Sequence, residues 1–183
     1  MKKVLIIGAG GIGSHLIPCL SRTNQYELTV FDPDMVETKN ITYQNFSKDD
    51  VGMHKVNALA QRYNLDPNPY FVLADQQLKG YDLVVCCADN LAIRQTLYRT
   101  DVNWLDLRAQ GRNGLLVCYK EKKSVLSMLN VGPDGSFSCQ GDSWDGGSES
   151  IHFTHVAIAG MGAQWIQRYF AGEDVKNNIQ LSI

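Results

Sequence analysis

A chain of 183 residues can bury a sizeable core as one domain. Apolar residues make up 44% and charged residues 20%, and 17 Lys and Arg against 19 Asp and Glu leave a formal charge of −2, so no basic excess marks a nucleic-acid surface. No apolar run approaches the roughly 18 residues of a membrane span, and Val4–Ile7 is too short for a signal-peptide core, so a cytoplasmic protein without membrane partners is expected.

Val4-Leu5-Ile6-Ile7 is apolar, β-branched and bounded by glycine, which predicts a buried parallel strand. The loop Gly8-Ala9-Gly10-Gly11-Ile12-Gly13 leads into a helix over Ile12–Leu20, with Ile12, Leu16 and Leu20 on one face and Pro18 placed to kink or shorten it. Glu27–Phe31 predicts a second strand ending at Asp32-Pro33-Asp34. The polar stretch Glu37–Asp50 is too long for a simple connection and is therefore a functional candidate. Val56, Leu59, Ala60 and Tyr63 mark a helix. Tyr70–Leu73 and Leu83–Cys87 predict strands, Asn90–Arg99 a helix and Val102–Leu107 a strand. Leu115–Tyr119 and Ser124–Leu129 flank Lys120-Glu121-Lys122-Lys123 as the arms of an antiparallel hairpin. Gly132–Ser150 predicts a mobile loop, Val156–Phe170 a long helix and Asn178–Ile183 a closing strand. The expected fold is α/β, with a Rossmann-like, mostly parallel sheet, helices on both faces and an antiparallel C-terminal extension, forming a single nucleotide-binding domain over residues 1–183.

Strand, glycine loop and helix follow in the order a nucleotide site requires. Gly8 permits the tight turn, Gly10 lets the backbone approach phosphate, and Gly13 lets helix and strand pack closely. The helix N-terminus offers N–H groups and partial positive charge to an anion. Asp32, at the end of the second strand, can accept hydrogen bonds from ribose hydroxyls. These features fit NAD as well as ATP. Others favour ATP: the extra glycine Gly11; the run from Asp32 and Asp34 to Asn40 and Gln44; Asp50-Val51-Gly52 with Lys55; and Asp89-Asn90. Lys55 can set a point charge against phosphate and Asp89 can hold magnesium. The alternatives are a surface helix residue for Lys55 and a helix N-cap for Asp89.

Together these residues resemble the ThiF/MoeB/HesA family, the adenylyltransferases related to ubiquitin-activating enzymes. The family pattern runs G-x-G-G-x-G, D-x-D-x-V-x-x-x-N-L-x-R-Q, D-V-G-x-x-K and D-N; here Gly8–Gly13, Asp32–Gln44, Asp50–Lys55 and Asp89-Asn90 stand in that order. The resemblance implies that a C-terminal carboxylate of a ubiquitin-like protein, sulfur carrier or peptide attacks the α-phosphate of ATP, giving an acyl-adenylate and pyrophosphate. It implies a cofactor set of Gly8, Gly10, Gly11, Gly13, Asp32, Asp34 and Lys55, with Asp32 on the ribose. Asn40, Gln44 and Lys55 would contact phosphates or the acyl group, and Asp89 would bind Mg2+. A homodimer is expected, because the family commonly pairs and because Val156, Ile158, Met161, Trp165, Ile166 and Phe170 give the late helix much apolar surface.

The chain departs from the pattern at Tyr43, where the family has an arginine; a phenol offers one hydrogen bond where a guanidinium grips phosphate with two. The chain opens directly on its first strand, so a preceding helix with a second arginine is not expected. Arg94, Arg108 or Arg112 are the candidate substitutes. Five cysteines without C-x-x-C spacing argue against structural zinc, and the adjacent Cys86 and Cys87 would face opposite sides of a strand. Cys139, in the polar loop, is either an exposed nucleophile for acyl or sulfur transfer or an incidental loop residue. His152 and His155 beside it either lower its pKa or merely open a helix; the second reading is preferred. Two other functional readings stand: a degenerate member that binds nucleotide or partner without catalysis, and an NAD-dependent oxidoreductase.

Overall fold

The computed structural model describes residues 1–129, 138–141 and 144–183. Seven strands form one sheet: β1 (Lys2–Ile7), β2 (Tyr26–Phe31), β3 (Asp66–Asn68), β4 (Leu83–Cys86), β5 (Trp104–Gln110), β6 (Asn113–Cys118) and β7 (Asn178–Ser182), in the order β3-β2-β1-β4-β5-β6-β7. The first five are parallel, and β6 and β7 continue the sheet antiparallel. The helices are α1 (Gly13–Ser21), α2 (Lys55–Ala60), α3 (Leu91–Arg99), α4 (Lys123–Leu129) and α5 (Thr154–Phe170).

Alternation along the strands divides the core. Val4 and Ile6 face α1, α2 and α5, whereas Leu5 and Ile7 face α3 and α4. Cys86 and Cys87 fall on opposite faces, as their adjacency requires. Glycine sets how closely α5 meets the sheet: a Cβ at Gly162 would lie 2.6 Å from Leu107 Cδ1, and one at Gly114 would lie 2.6 Å from Ile158 Cγ1.

Pro18 lies inside α1, yet the helix runs on to Ser21. Proline has no N–H for the Ser14 carbonyl four residues back. Asn45 Nδ2 supplies a donor to that oxygen at 3.2 Å, and the Asn45 N–H bonds Ser14 Oγ at 3.0 Å. The carbonyl that proline leaves without its helix donor thus becomes the attachment point for the 37–50 segment.

Two expectations are corrected. Tyr70–Leu73 forms no strand. The chain pairs with β2 over Asp66–Asn68 and leaves the sheet where β2 ends, at Phe31↔Asn68, with Pro69 next and unable to donate to a ladder. Ser124–Leu129 belongs to α4, with Leu126 packed into the core; the partner of β6 is β5, joined through Gly111 (φ +55°) and Arg112. The apolar spacing of Val125, Leu126 and Leu129 fits a helix, and no β-branched run opposes it. On α5, Ile158, Trp165 and Ile166 are buried within the chain, Met161 and Phe170 pack partly against the same core, and Val156 stays exposed. Of the loop expected over Gly132–Ser150, residues 132–137 and 142–143 lie outside the described residues. Among the described residues, no helix is long and apolar enough to cross a membrane.

Candidate functional site

In a doubly wound sheet, ligands sit at the carboxyl ends of the strands where strand order reverses. Here β2 follows β1 on one side and β4 lies on the other, so the switch point lies between β1 and β4. A cleft of about 850 Å³ opens there, within the range of small-molecule sites, roughly 300–1,000 Å³. Gly8, Gly10, Gly11, Asp32, Asp34, Asn40, Gln44, Lys55, Asp89 and Cys139 all line it. Gly13 is the exception and lies beneath the loop.

Close packing fixes the glycine loop. Gly8 has φ +97°, and a Cβ there would lie 2.8 Å from Ala88 N at the end of β4. A Cβ on Gly13 would lie 1.9 Å from Gly8 O. Among the described residues no side chain caps α1; Ser14 N and His15 N bond Gly10 O and Ile12 O, and it is Gly10 and Gly11, just ahead of the helix, that line the cleft.

Asp32 braces this loop. Its Oδ2 accepts the Ala9 N–H at 2.6 Å and its Oδ1 accepts the Asp34 N–H at 2.8 Å. Burial raises its pKa, and the Lys55 charge and the two N–H bonds pull it back. Each oxygen keeps a lone pair for a further donor. Lys55 is not a surface residue: it is 6% exposed, and its Nζ lies 2.8 Å from Asp34 Oδ2. Nor is Asp89 the helix cap. Asn90 is, its Oδ1 accepting from Ala92 N at 2.8 Å and Ile93 N at 3.4 Å.

The polar stretch supplies the opposite wall. Thr38–Thr42 and Lys48–Asp50 form single 3-10 turns. Asn40 is buried and accepts the Glu37 N–H at 2.9 Å. Gln44 Nε2 donates to the Tyr43 hydroxyl at 3.0 Å, while its buried Oε1 has no hydrogen-bond partner among the described residues. The Tyr43 ring meets Trp144 edge-on at 5.1 Å.

Two imidazoles hold this wall. His15 Nε2 and His155 Nε2 lie 3.1 and 2.8 Å from the Tyr43 carbonyl, which can only accept, so both nitrogens carry protons. His155 Nδ1 then accepts from Gln140 Nε2 at 3.4 Å, and Gln140 is pinned by His152 N and O. His155 is fully buried, and burial lowers its pKa. His155 therefore opens α5 and fastens the Tyr43 loop. Its folded pKa lies below its unfolded value, so the unfolded chain binds more protons as the pH falls below about 6.5. Stability should be full above that pH and decline below it, with a slope of up to about 1.4 kcal/mol per pH unit for one proton. Thermal unfolding from pH 7.5 to 5 should show this decline, and His155→Gln should flatten it; an unchanged slope would remove His155 as its source.

Cys139 is not exposed. It is half-buried over Gly11, where a Cβ would meet its Sγ at 3.0 Å, and burial pushes its thiol up to about 11. The extra glycine thus has a packing reason as well. The expectation of an exposed position thus gives way to a half-buried thiol in the cleft lining, raised by burial.

None of the candidate arginines lines the cleft. Arg94 Nε lies 3.2 Å from Asp106 Oδ1, and its Nη2 donates to Ala88 O at 2.7 Å. Arg108 bonds Asp106 Oδ2 through Nε at 2.9 Å and also contacts Tyr98 Oη. Asp106 has no exposure. Reading the sequence missed Asp106 and Tyr98. The signal was present in the i,i+4 spacing of Arg94 and Tyr98 and the i,i+2 spacing of Asp106 and Arg108, but not in anything that joins the two pairs. It also missed the exposed rim of Tyr70, Phe71 and Leu73, which lines the cleft.

Comparison with known proteins accords with this geometry. The ThiF family model matches residues 1–180. The adenylyltransferase and sulfurtransferase UBA4 of Candida albicans is 31% identical over 151 residues, covering 72% of this chain and 32% of that protein. Ubiquitin-like modifier-activating enzyme 5 of Culex quinquefasciatus is 28% identical over 131 residues, covering 57% and 33%. The chain spans about a third of the length of these relatives. The crystal structure of E. coli MccB with ATP aligns over 100% of this chain and 60% of its own, with TM-score 0.73 and 17% identity, and PaaA aligns with TM-score 0.70 and 19% identity over 100% and 61%. The chain belongs to the ThiF family.

Proposed function

We propose that residues 1–183 form the nucleotide-binding domain of a cytoplasmic, ATP-dependent adenylyltransferase that activates the C-terminal carboxylate of a ubiquitin-like protein, sulfur carrier or peptide. The observation that carries this reading is the meeting of the glycine loop, Asp32, Lys55 and Asp89 at the β1/β4 switch point. The known relatives support it: MccB has been crystallised with ATP and with MccA peptide, and UBA4 is named an adenylyltransferase.

In this reading the N–H groups at the start of α1 take phosphate oxygens, the free lone pairs of Asp32 take ribose hydroxyls, and Lys55 opposes phosphate charge. Asn40 and Gln44 hold the acyl group from the opposite wall. Attack of the carboxylate oxygen on the α-phosphorus forms the acyl–phosphate bond as the bond to pyrophosphate breaks; the domain's part is to align the two and stabilise the gathering charge. Asp89, a carboxylate of the cleft lining, would hold Mg2+, which would supply counter-charge to the phosphates. Asp89→Asn should lower magnesium-dependent turnover at least a hundredfold while leaving the unfolding midpoint within a few degrees; full activity in that variant would remove Asp89 from the site.

One observation favours a second reading, a family member that binds without catalysis. Tyr43 replaces the arginine, and Arg94 and Arg108 are committed to Asp106. Calorimetric titration with ATP and magnesium, and separately with NAD, tests the nucleotide assignment. ATP should bind and NAD should not; tighter NAD binding would turn the reading toward an oxidoreductase.

A further inference from the structure

Among the described residues, the lining of the cleft carries five carboxylates, from Asp32, Asp34, Glu37, Asp75 and Asp89, and two lysines. Both lysines are held by carboxylates of the same lining. Lys39 Nζ lies 2.7 Å from Glu37 Oε2, with both side chains more than 60% exposed. Such a pair parts readily in water. Lys55 differs. Its side chain is 8% exposed and its Nζ lies 2.8 Å from Asp34 Oδ2, while Asp34 is 63% exposed and faces the cleft. A buried ammonium needs an anion beside it. Asp34 supplies one by contact, and Asp32, whose oxygens already hold Ala9 N and Asp34 N, supplies a second through space. A phosphate approaching Lys55 therefore meets a cation already offset by two carboxylates, in a lining with an acidic excess.

We propose that Asp34 is a specificity-determining residue that withholds Lys55 from bare polyphosphate. A phosphate oxygen that reaches Nζ must come close to Asp34 Oδ2, and the two anions repel. A polyphosphate that brings a divalent cation carries its own counter-charge, tolerates Asp34 and gains Lys55. The cleft thereby selects the metal complex of a nucleoside triphosphate over the free tetra-anion. This inference rests on the reading of the cleft as a nucleotide phosphate site.

Asparagine at position 34 keeps the two main-chain bonds of that residue, from Asp34 N to Asp32 Oδ1 and from Lys55 N to Asp34 O. The test is calorimetry at fixed ionic strength with ATP in EDTA and with ATP in excess magnesium, on the wild type, Asp34→Asn, Asp34→Glu, Lys55→Met and the Asp34→Asn/Lys55→Met double variant. Asp34→Ser serves as a second neutral variant, and thermal unfolding checks each fold. Asp34→Asn should bind metal-free ATP at least fivefold more tightly than the wild type and narrow the preference for the magnesium complex. Asp34→Glu should keep the wild-type preference. The gain should vanish when Lys55 is also replaced. If the wild type binds ATP but Asp34→Asn shows no gain without metal, or the gain survives loss of Lys55, the role of Asp34 is overturned and the nucleotide reading stands. If no form binds ATP under either condition, the nucleotide reading fails and this inference falls with it.

Discussion

Replacing Gly13 with alanine is expected to unfold the protein, or to lower its stability beyond the roughly 1–3 kcal/mol usual for an overpacked site, and to abolish nucleotide binding. The added Cβ would lie 1.9 Å from Gly8 O and 2.9 Å from Gly8 C. Both obstacles are main chain, so no rotamer change relieves them. Gly8 cannot retreat, because its own position is set against Ala88 N and Cys87 C. The clash therefore displaces either β1 from β4 or α1 from the sheet, and both moves open the switch point. Gly160→Ala is the control. It lies on the exposed side of α5 with nothing within 4 Å of a Cβ, and alanine is favoured over glycine in a helix by about 1 kcal/mol. Urea unfolding of the two variants should shift in opposite directions. A Gly13→Ala protein that unfolds with the Gly160→Ala midpoint would contradict this packing.

Asp106→Ala is expected to cost about 3–5 kcal/mol, the usual penalty for removing one partner of a buried ion pair. Asp106 holds Arg94 and Arg108 together, and Tyr98 Oη donates to its Oδ2 at 2.5 Å. Without the carboxylate, Arg94 is left 6% exposed with an uncompensated charge. The damage should also reach the cleft. Arg94 anchors the Ala88 carbonyl beside Asp89, and Arg108 Nη1 holds the Leu129 carbonyl at the end of α4 at 3.2 Å. Glu173→Ala, which removes the exposed pair between Arg168 and Glu173, should cost no more than about 1 kcal/mol. Chemical denaturation that gave equal losses for the two variants would show that the Asp106 network is not the buried anchor described.

Much of this arrangement is legible in the chain because each piece is local. Glycine spacing after an apolar run places the phosphate loop, Asp32 ends the strand that follows, and a helix follows β4 from the Asp89-Asn90 pair, although Asn90 rather than Asp89 caps it. The misread pieces depend on partners distant in sequence. Pro18 marks a carbonyl without its helix donor, but not that Asn45 reaches it. Tyr70–Leu73 has the composition of a strand, but β2 has already ended and offers no further ladder. Ser124–Leu129 fits either period over so short a run, and packing of Leu126 decides for the helix. Lys55 reaches the cleft as its motif implies, and only its pairing with Asp34, distant in sequence, stays hidden. The arginines look available to replace the one absent at Tyr43 until Asp106, a strand residue with no local sign of importance, is seen to hold two of them.

ATP–pyrophosphate exchange tests the central claim most directly. The protein, ATP, magnesium and labelled pyrophosphate would be incubated with a carrier protein or peptide encoded beside it, and with the same carrier amidated at its C-terminus. Label should return to ATP only when the free carboxylate is present, and Asp89→Asn should abolish the exchange. ATP binding without carrier-dependent exchange, or exchange equal with the amidated carrier, would contradict activation of a C-terminal carboxylate.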